Sequence, residues 1–453
     1  MKTRNDKDSL GSVKIPSDAY YGPFTGRAKK QYNATGQKAH PNLIKSFVMI
    51  KRSAAIANMK TKSISRKQGT AIVKACDKIL SGKYHDQFVI DMINSGAGTA
   101  FNMNTNEVVT NVALRVLGKK QGQYQFLHPN DHVNMSQSSN DTYPTAMHMA
   151  ILFSLKELLP VIDKLIKSFD RKAKKFAKYK KVGRTHLMDA LPVTLGSEFA
   201  AYVTALSNTR DQIISSQNEL QKIALGGTAV GTGANTPRGY RKHVVTELGK
   251  ISRLSLQSQK DLQYSLQSKF PVTNTSSALK NFAIELGKIS NDIRLMASGP
   301  IAGLSELGIP AVHAGSSIMP GKVNPSLAEC MNMICFNIIG NDTTVSFAAH
   351  AGQLELNVML PVMLKAILDS TDMLTNFLPI FSTNLIDGLT ANQSKLRENI
   401  ENSPVIVTLL APKIGYQKSA ELFKESLKSG KTIRELVVSK KLLTNKEVNS
   451  LLG

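Results

Sequence analysis

The chain has 453 residues, of which 57 are Lys or Arg and 33 are Asp or Glu, giving a formal charge of +24 with histidine neutral. An apolar content of 42% is enough for a sizeable core and excludes global disorder. At about 150 residues per domain, the length predicts about three domains.

Residues 1–134 have a mixed texture, with frequent Gly, Pro and Asn and short amphipathic helices such as Leu43–Lys60 and Gly69–Ile79. Beyond Pro144 the texture changes to long helical periodicities. Ile151, Leu152, Leu155, Leu158, Leu159, Ile162, Leu165, Ile166 and Phe169 lie on one helix face, with Pro160 expected to kink it. A second helix is predicted over Leu195–Ala224, ending before Gly226-Gly227. A third carries Leu279, Phe282, Leu286, Ile289, Ile293 and Met296 in the 3,4 steps of a coiled-coil seam. A fourth covers Leu327–Ile339 and a fifth Pro361–Phe377, and strand-and-turn patterning is missing from this region. The pattern is that of a mainly α protein with a central helical bundle. It divides into a mixed N-terminal domain (1–134), a bundle domain (135–389) and a small C-terminal helical domain (390–453). Some seams are broader than a monomer can bury, which predicts helix-to-helix association of several chains.

Cys76, Cys330 and Cys335 form neither a disulfide framework nor a Cys-x-x-Cys zinc pattern, so a reducing, cytoplasmic setting is expected. No stretch approaches ~20 uninterrupted apolar residues, and the polar segment Met1–Leu10 does not read as a signal peptide. The basic excess reads as a solvated surface that steers anions. The Lys cluster between Lys164 and Lys181 comes with no RNP-type motif or zinc finger, so no nucleic-acid partner is expected.

The run Gly226–Gly233 reads as a backbone-permissive loop rather than a nucleotide cradle, because no strand precedes it and no Gly-Lys-Ser/Thr follows. Nine dispersed histidines without His-Glu-x-x-His give no metal site. His128 and His132 are four apart, but Pro129 makes their segment a turn.

Four segments concentrate small hydroxyl and amide side chains beside glycines: Ser95–Glu107, Ser136–Thr145, Gly183–Asp189 and Gly315–Pro325. Such groups suit an anion held by many directed hydrogen bonds, although each segment alone could be helix capping. In the fourth, two serines precede Lys322 and Asn324 follows it, so a cation can neutralise a carboxylate near an activatable serine.

Gly-Ser-Ser-Ile-Met-Pro-Gly-Lys-Val-Asn-Pro (315–325) resembles the signature of the fumarase/aspartase superfamily, and the resemblance covers nearly the whole chain. It implies a homotetramer whose bundles form a twenty-helix core. It also implies active sites shared by three chains, a small dicarboxylate substrate, and reversible anti additions and eliminations without metal or organic cofactor. By resemblance, Thr99, Ser138 and Ser139 hold one carboxylate, while Thr185, Lys322 and Asn324 hold the other. Ser316 is the carbon base, with the Ser317 N–H as a carboxylate donor. His186 serves the leaving group, helped by Asn140 and paired with Glu329. His128, Asn130 and Asp131 resemble a secondary dicarboxylate site. The Ser-Ser-Asn triplet at 138–140 resembles the fumarase branch, so reversible hydration of fumarate to L-malate is the expected reaction. Gly96–Asn104 and Cys335–Val345 resemble the aspartase branch, which makes elimination of ammonia from L-aspartate the alternative. A non-catalytic structural or nucleic-acid-binding protein on the same fold is the alternative of another class.

Overall fold

The apolar periodicities become helices because a helix with one greasy stripe must bury it against another. The computed structural model describes residues 2–315 and 318–452. A hairpin of β1 (Thr3–Asp8) and β2 (Gly11–Pro16) opens the chain. It leads into α1 (Pro23–Gln31), α2 (Pro41–Lys60), α3 (Arg66–Leu80) and α4 (Thr99–Val116). The first long helix, α5 (Ser139–Lys175), is followed by β3 (Lys180–Thr185), β4 (Met188–Thr194) and α6 (Leu195–Leu220). Then come α7 (Tyr240–Ser252), α8 (Leu262–Gln267), α9 (Phe270–Met296), α10 (Ser326–His350) and α11 (Leu360–Phe381). The last helices are α12 (Gln393–Asn402), α13 (Ala411–Ile414), α14 (Tyr416–Ser429), α15 (Ile433–Ser439) and α16 (Asn445–Leu452).

The chain folds into two units. The first comprises Met1–Leu159, Arg210–Asn281 and Asn337–Thr375. Its core includes Phe47 of α2, whose ring lies 5.1 Å from Phe101 of α4 and 5.6 Å from Tyr143 of α5. Ser276 and Lys280 of α9 both bond Asp342 of α10, and Asn341 of α10 donates to Ser370 of α11. The second unit comprises Pro160–Thr209, Phe282–Phe336 and Asn376–Gly453. In it Phe169 of α5 packs on Phe199 of α6, Tyr202 of α6 donates to Asp292 of α9, and Asn332 of α10 donates to the Gly287 carbonyl of α9. A separate apolar cluster around Leu410, Leu422, Ile433, Val437 and Val448 binds the C-terminal helices together.

All five long helices are present, and every residue of the 279–296 seam is buried. Several differ in extent from the sequence reading. The helix α5 includes Pro160, as expected, and extends beyond both ends of its predicted seam, over Ser139–Lys175. The helix α10 reaches His350 rather than Ile339, and α11 reaches Phe381 through Pro379. The reading of residues 145–389 as free of strands is corrected by the β3–β4 hairpin. A bulge between Val182 and Arg184 breaks the two-residue alternation that marks a strand in sequence. Short pairings also join 222–223 with 257–258 and 307–308 with 390–391. Among the described residues no helix is long and apolar enough to cross a membrane.

Candidate active site

The expected site residues fall into two groups, one in each unit. In the first unit, α4 and α5 begin beside each other. Ala97 and Gly98 take left-handed backbone, with φ of 53° and 63°, and place Thr99 at the first position of α4. Ser95 Oγ accepts the Ala100 N–H at 2.9 Å. Only glycine fits at 98, since a Cβ there would lie 1.8 Å from the Tyr143 ring. Ser138 Oγ accepts the Asn140 N–H at 3.2 Å, and Asp141 Oδ1 accepts the Ser138 N–H at 3.0 Å, a reciprocal cap on α5. Thr99 Oγ1 and Ser139 Oγ lie 3.0 Å apart. Two helix N-termini, each a partial positive charge, therefore meet at a pair of hydroxyls, an arrangement suited to a carboxylate.

Asp141 fixes this corner from below. Its Oδ2 accepts N–H groups of Gly226 and Thr228 at 3.0 and 2.9 Å, and Asn140 Nδ2 donates to the Ala229 carbonyl at 2.8 Å. The run Gly226–Gly233 is thus a loop, as expected, but one tied to the site. Burial pushes the Asp141 carboxyl up to about 6, against the backbone N–H groups that favour its ionised form. Behind it the Lys51 ammonium is fully buried and donates to Asn102, Asn134 and Gln137 side-chain oxygens at 2.7, 3.0 and 3.0 Å. Burial pushes Lys51 down to about 7, while the Asp141 carboxylate opposes that shift. A cleft of 420 Å³ has Ser138, Thr228, Asn130 and Asp131 in its lining. His128 caps the turn Pro129–Val133, its Nδ1 accepting the N–H groups of Asn130 and Asp131, and it lines another cleft with Lys7 and Arg27.

In the second unit, Thr185 ends β3 and pairs with Met188, leaving His186-Leu187 as a two-residue turn. Both turn residues have positive φ, 54° and 60°, as a type I′ turn requires. Neither is glycine or Asn, so the turn holds strain of order 1–3 kcal/mol per residue. Thr185 and His186 are exposed. Lys322 is also exposed, Asn324 is half-buried, and Glu329 is half-buried in the first turn of α10. Gly315 lies against the Lys322 carbonyl, where a Cβ would come within 1.8 Å of the oxygen, so the two ends of the loop touch. His313 Nε2 meets Ser326 Oγ at 3.0 Å and ties the base of this loop to α10. Ser316 and Ser317, the expected base and its neighbour, lie outside the described residues. Among the described residues no hydrogen bond or ion pair joins His186 to Glu329 or Lys322 to a carboxylate within one chain. Among them, too, no three of His, Cys, Asp and Glu cluster as a metal site.

The sequence reading missed Asp141, Lys51 and the 226–229 backbone. Ser138-x-x-Asp141 had the spacing of a capping box, and Lys51 stood where the α2 periodicity demands an apolar residue.

The described chain is thus mainly helical, and its expected site residues are hydroxyl, amide and cationic donors distributed over both units. The chain matches the lyase family model over residues 11–340 and the fumarase C C-terminal model over residues 406–453. It is 45% identical to an aspartate ammonia-lyase from a Bacillus species over 450 residues, covering 99% of this chain and 96% of that one. It is 42% identical over 451 residues to the Escherichia coli K12 aspartate ammonia-lyase, covering 99% and 94%. Among solved structures, a Brucella melitensis protein described as fumarate lyase:delta crystallin bound to cobalt superposes with a TM-score of 0.97 at 41% identity, covering 100% and 98%. The class II fumarase of Schistosoma mansoni superposes with a TM-score of 0.95 at 35% identity, again covering 100% and 98%. The chain belongs to the fumarase/aspartase superfamily of lyases.

Proposed function

We propose that this lyase eliminates ammonia from L-aspartate to give fumarate. The observation that carries the reading is the likeness to aspartate ammonia-lyases at 42–45% identity across 99% of the chain. The loop Gly-Ala-Gly-Thr-Ala-Phe-Asn-Met-Asn at 96–104 supports it, and it supplies Thr99 at the N-terminus of α4. The weight that the Ser-Ser-Asn triplet lends to hydration is therefore overridden, since that triplet also serves simply to cap α5.

In the proposed chemistry, Thr99, Ser138 and Ser139 bind one carboxylate at the paired helix starts. Ser316, as its alkoxide, takes the proton from the carbon next to the other carboxylate. The electron pair spreads into that carboxylate as an aci-carboxylate, which Lys322, Thr185, Asn324 and the Ser317 N–H stabilise where the charge develops. The pair then returns to form the double bond as the C–N bond breaks and ammonia leaves on the His186 and Asn140 side. Glu329 orients His186 from a neighbouring subunit, and His128, Asn130 and Asp131 form a secondary dicarboxylate site. The exposed apolar residues Met333, Phe336 and Phe347 of α10 support burial of α10 by other copies in a homotetramer.

The test is appearance of the ultraviolet absorbance of fumarate from L-aspartate and from L-malate in parallel. Release from aspartate alone supports the reading. Release from malate alone replaces it with fumarate hydration, which the class II fumarase structure favours as the second reading.

A further inference from the structure

Below the His186-Leu187 turn lies a group of charges that the proposed chemistry does not use. Lys181 and Arg184 are on β3, Glu198 is on α6, and Glu306 lies just before the pairing at 307–308. The Glu306 side chain is 0% exposed and that of Lys181 only 2%. Arg184 Nη1 meets Glu306 Oε1 at 2.7 Å, Lys181 Nζ meets Glu306 Oε2 at 2.7 Å, and Lys181 Nζ meets Glu198 Oε2 at 2.9 Å. Two cations and two carboxylates thus balance. Glu306 is itself fixed by its backbone, its N–H bonding Met296 and its carbonyl accepting from Asn392. On the other strand, Ser403 Oγ donates to Asp189 Oδ2 at 2.6 Å.

A buried ion group of this kind adds little stability over a packed apolar equivalent, so its use lies in fixing geometry. What it fixes is the pair Arg184 and Asp189, which face each other across the hairpin one step inside Thr185 and Met188. Those two frame the turn whose positive φ values a His-Leu dipeptide does not adopt unaided. The strand also bulges at Gly183. A Cβ there would lie 2.6 Å from the Leu191 carbonyl oxygen, so the strand is bent where the ion group grips it.

We propose that Glu306, gripping Arg184 and Lys181, with Ser403 gripping Asp189, is a positioning clamp that holds the strained turn and so aims His186 at the leaving group. The inference rests on the role given to His186 under the proposed function. Glu306 touches no substrate and acts through the hairpin.

The test is a cycle of Glu306→Gln, His186→Ala and the double variant, assayed on whichever of aspartate and malate the intact tetramer turns over. Glu306→Gln lowers kcat by roughly a hundredfold, the scale of a small misplacement of a reacting group, with KM little changed. In the His186→Ala background the same substitution adds almost nothing. Additive losses overturn the clamp, since a merely structural role lowers activity whether or not His186 is present. Full turnover in His186→Ala refutes the role of His186 instead. The clamp is then judged without substrate, by amide hydrogen exchange. Faster exchange confined to 180–194 in Glu306→Gln supports it, and unchanged exchange there overturns it. Should Glu306→Gln not fold, Ser403→Ala loosens the opposite strand and is expected to give the same non-additivity and the same local exchange at smaller size.

Discussion

At the scale of single residues, the chain places cations where they have different work. Lys322 is exposed on a loop and free of carboxylate partners among the described residues, so its charge is available to a ligand. Lys322→Met is expected to lower kcat/KM by roughly 10²–10³-fold, affecting both binding and rate, as steady-state kinetics on the folded variant will show. Ser316→Ala is expected to abolish turnover while substrate still binds, and near-normal rates would remove that serine as the base. Lys51 is the opposite case, a buried ammonium held by three amide oxygens. Its folded pKa of about 7 lies below the ordinary 10.5. Between those values the unfolded chain carries a proton that the folded chain lacks, so the Lys51 contribution makes stability rise with pH from about 7 to 10.5. Lys269, also pushed down to about 7 by burial, acts in the same sense. Denaturant midpoints measured from neutral to alkaline pH should rise less in Lys51→Met than in the parent. An unchanged slope would show that Lys51 stays charged throughout.

At the scale of elements, the starts of α4 and α5 matter more than their lengths. Gly98→Ala forces a side chain into left-handed backbone, costing about 1–2 kcal/mol. It also displaces the Tyr143 ring, for a further ~1–3 kcal/mol of overpacking. Its melting curve should shift accordingly, and KM should rise as Thr99 moves away from Ser139. The five long helices were legible because their apolar seams repeat over many turns; the 279–296 seam is wholly buried, and the α5 seam is buried except at the half-buried Leu159 and Ile166. Thr99, Ser138 and Ser139 were legible as a hydroxyl-rich set, and the structure brings Thr99 and Ser139 together. The β3–β4 hairpin was not legible, because its bulge and its His-Leu turn violate both strand alternation and turn chemistry. Asp141 and the loop at 226–229 meet across 85 to 87 positions of sequence, a pairing that no local pattern encodes.

At the scale of the whole molecule, the +24 charge acts on any dianion approaching from solvent. Raising salt from ~0.01 to ~0.15 M shortens the Debye length from ~30 to ~8 Å. kcat/KM should fall across that range while kcat holds steady, and a flat kcat/KM would deny the surface charge any steering role. Light scattering should report four copies per particle, and an active monomer would refute a site shared between chains.

Each unit is written in three separate stretches of sequence, and residues of all five long helices are divided between the two. On the ribosome, therefore, the first unit lacks its last stretch until Thr375 has emerged, although its first begins at the N-terminus. The seams of α9, α10 and α11 stay exposed until late in synthesis although the Phe47–Phe101–Tyr143 core can close early, so soluble yield is expected to rise when chaperones are co-expressed.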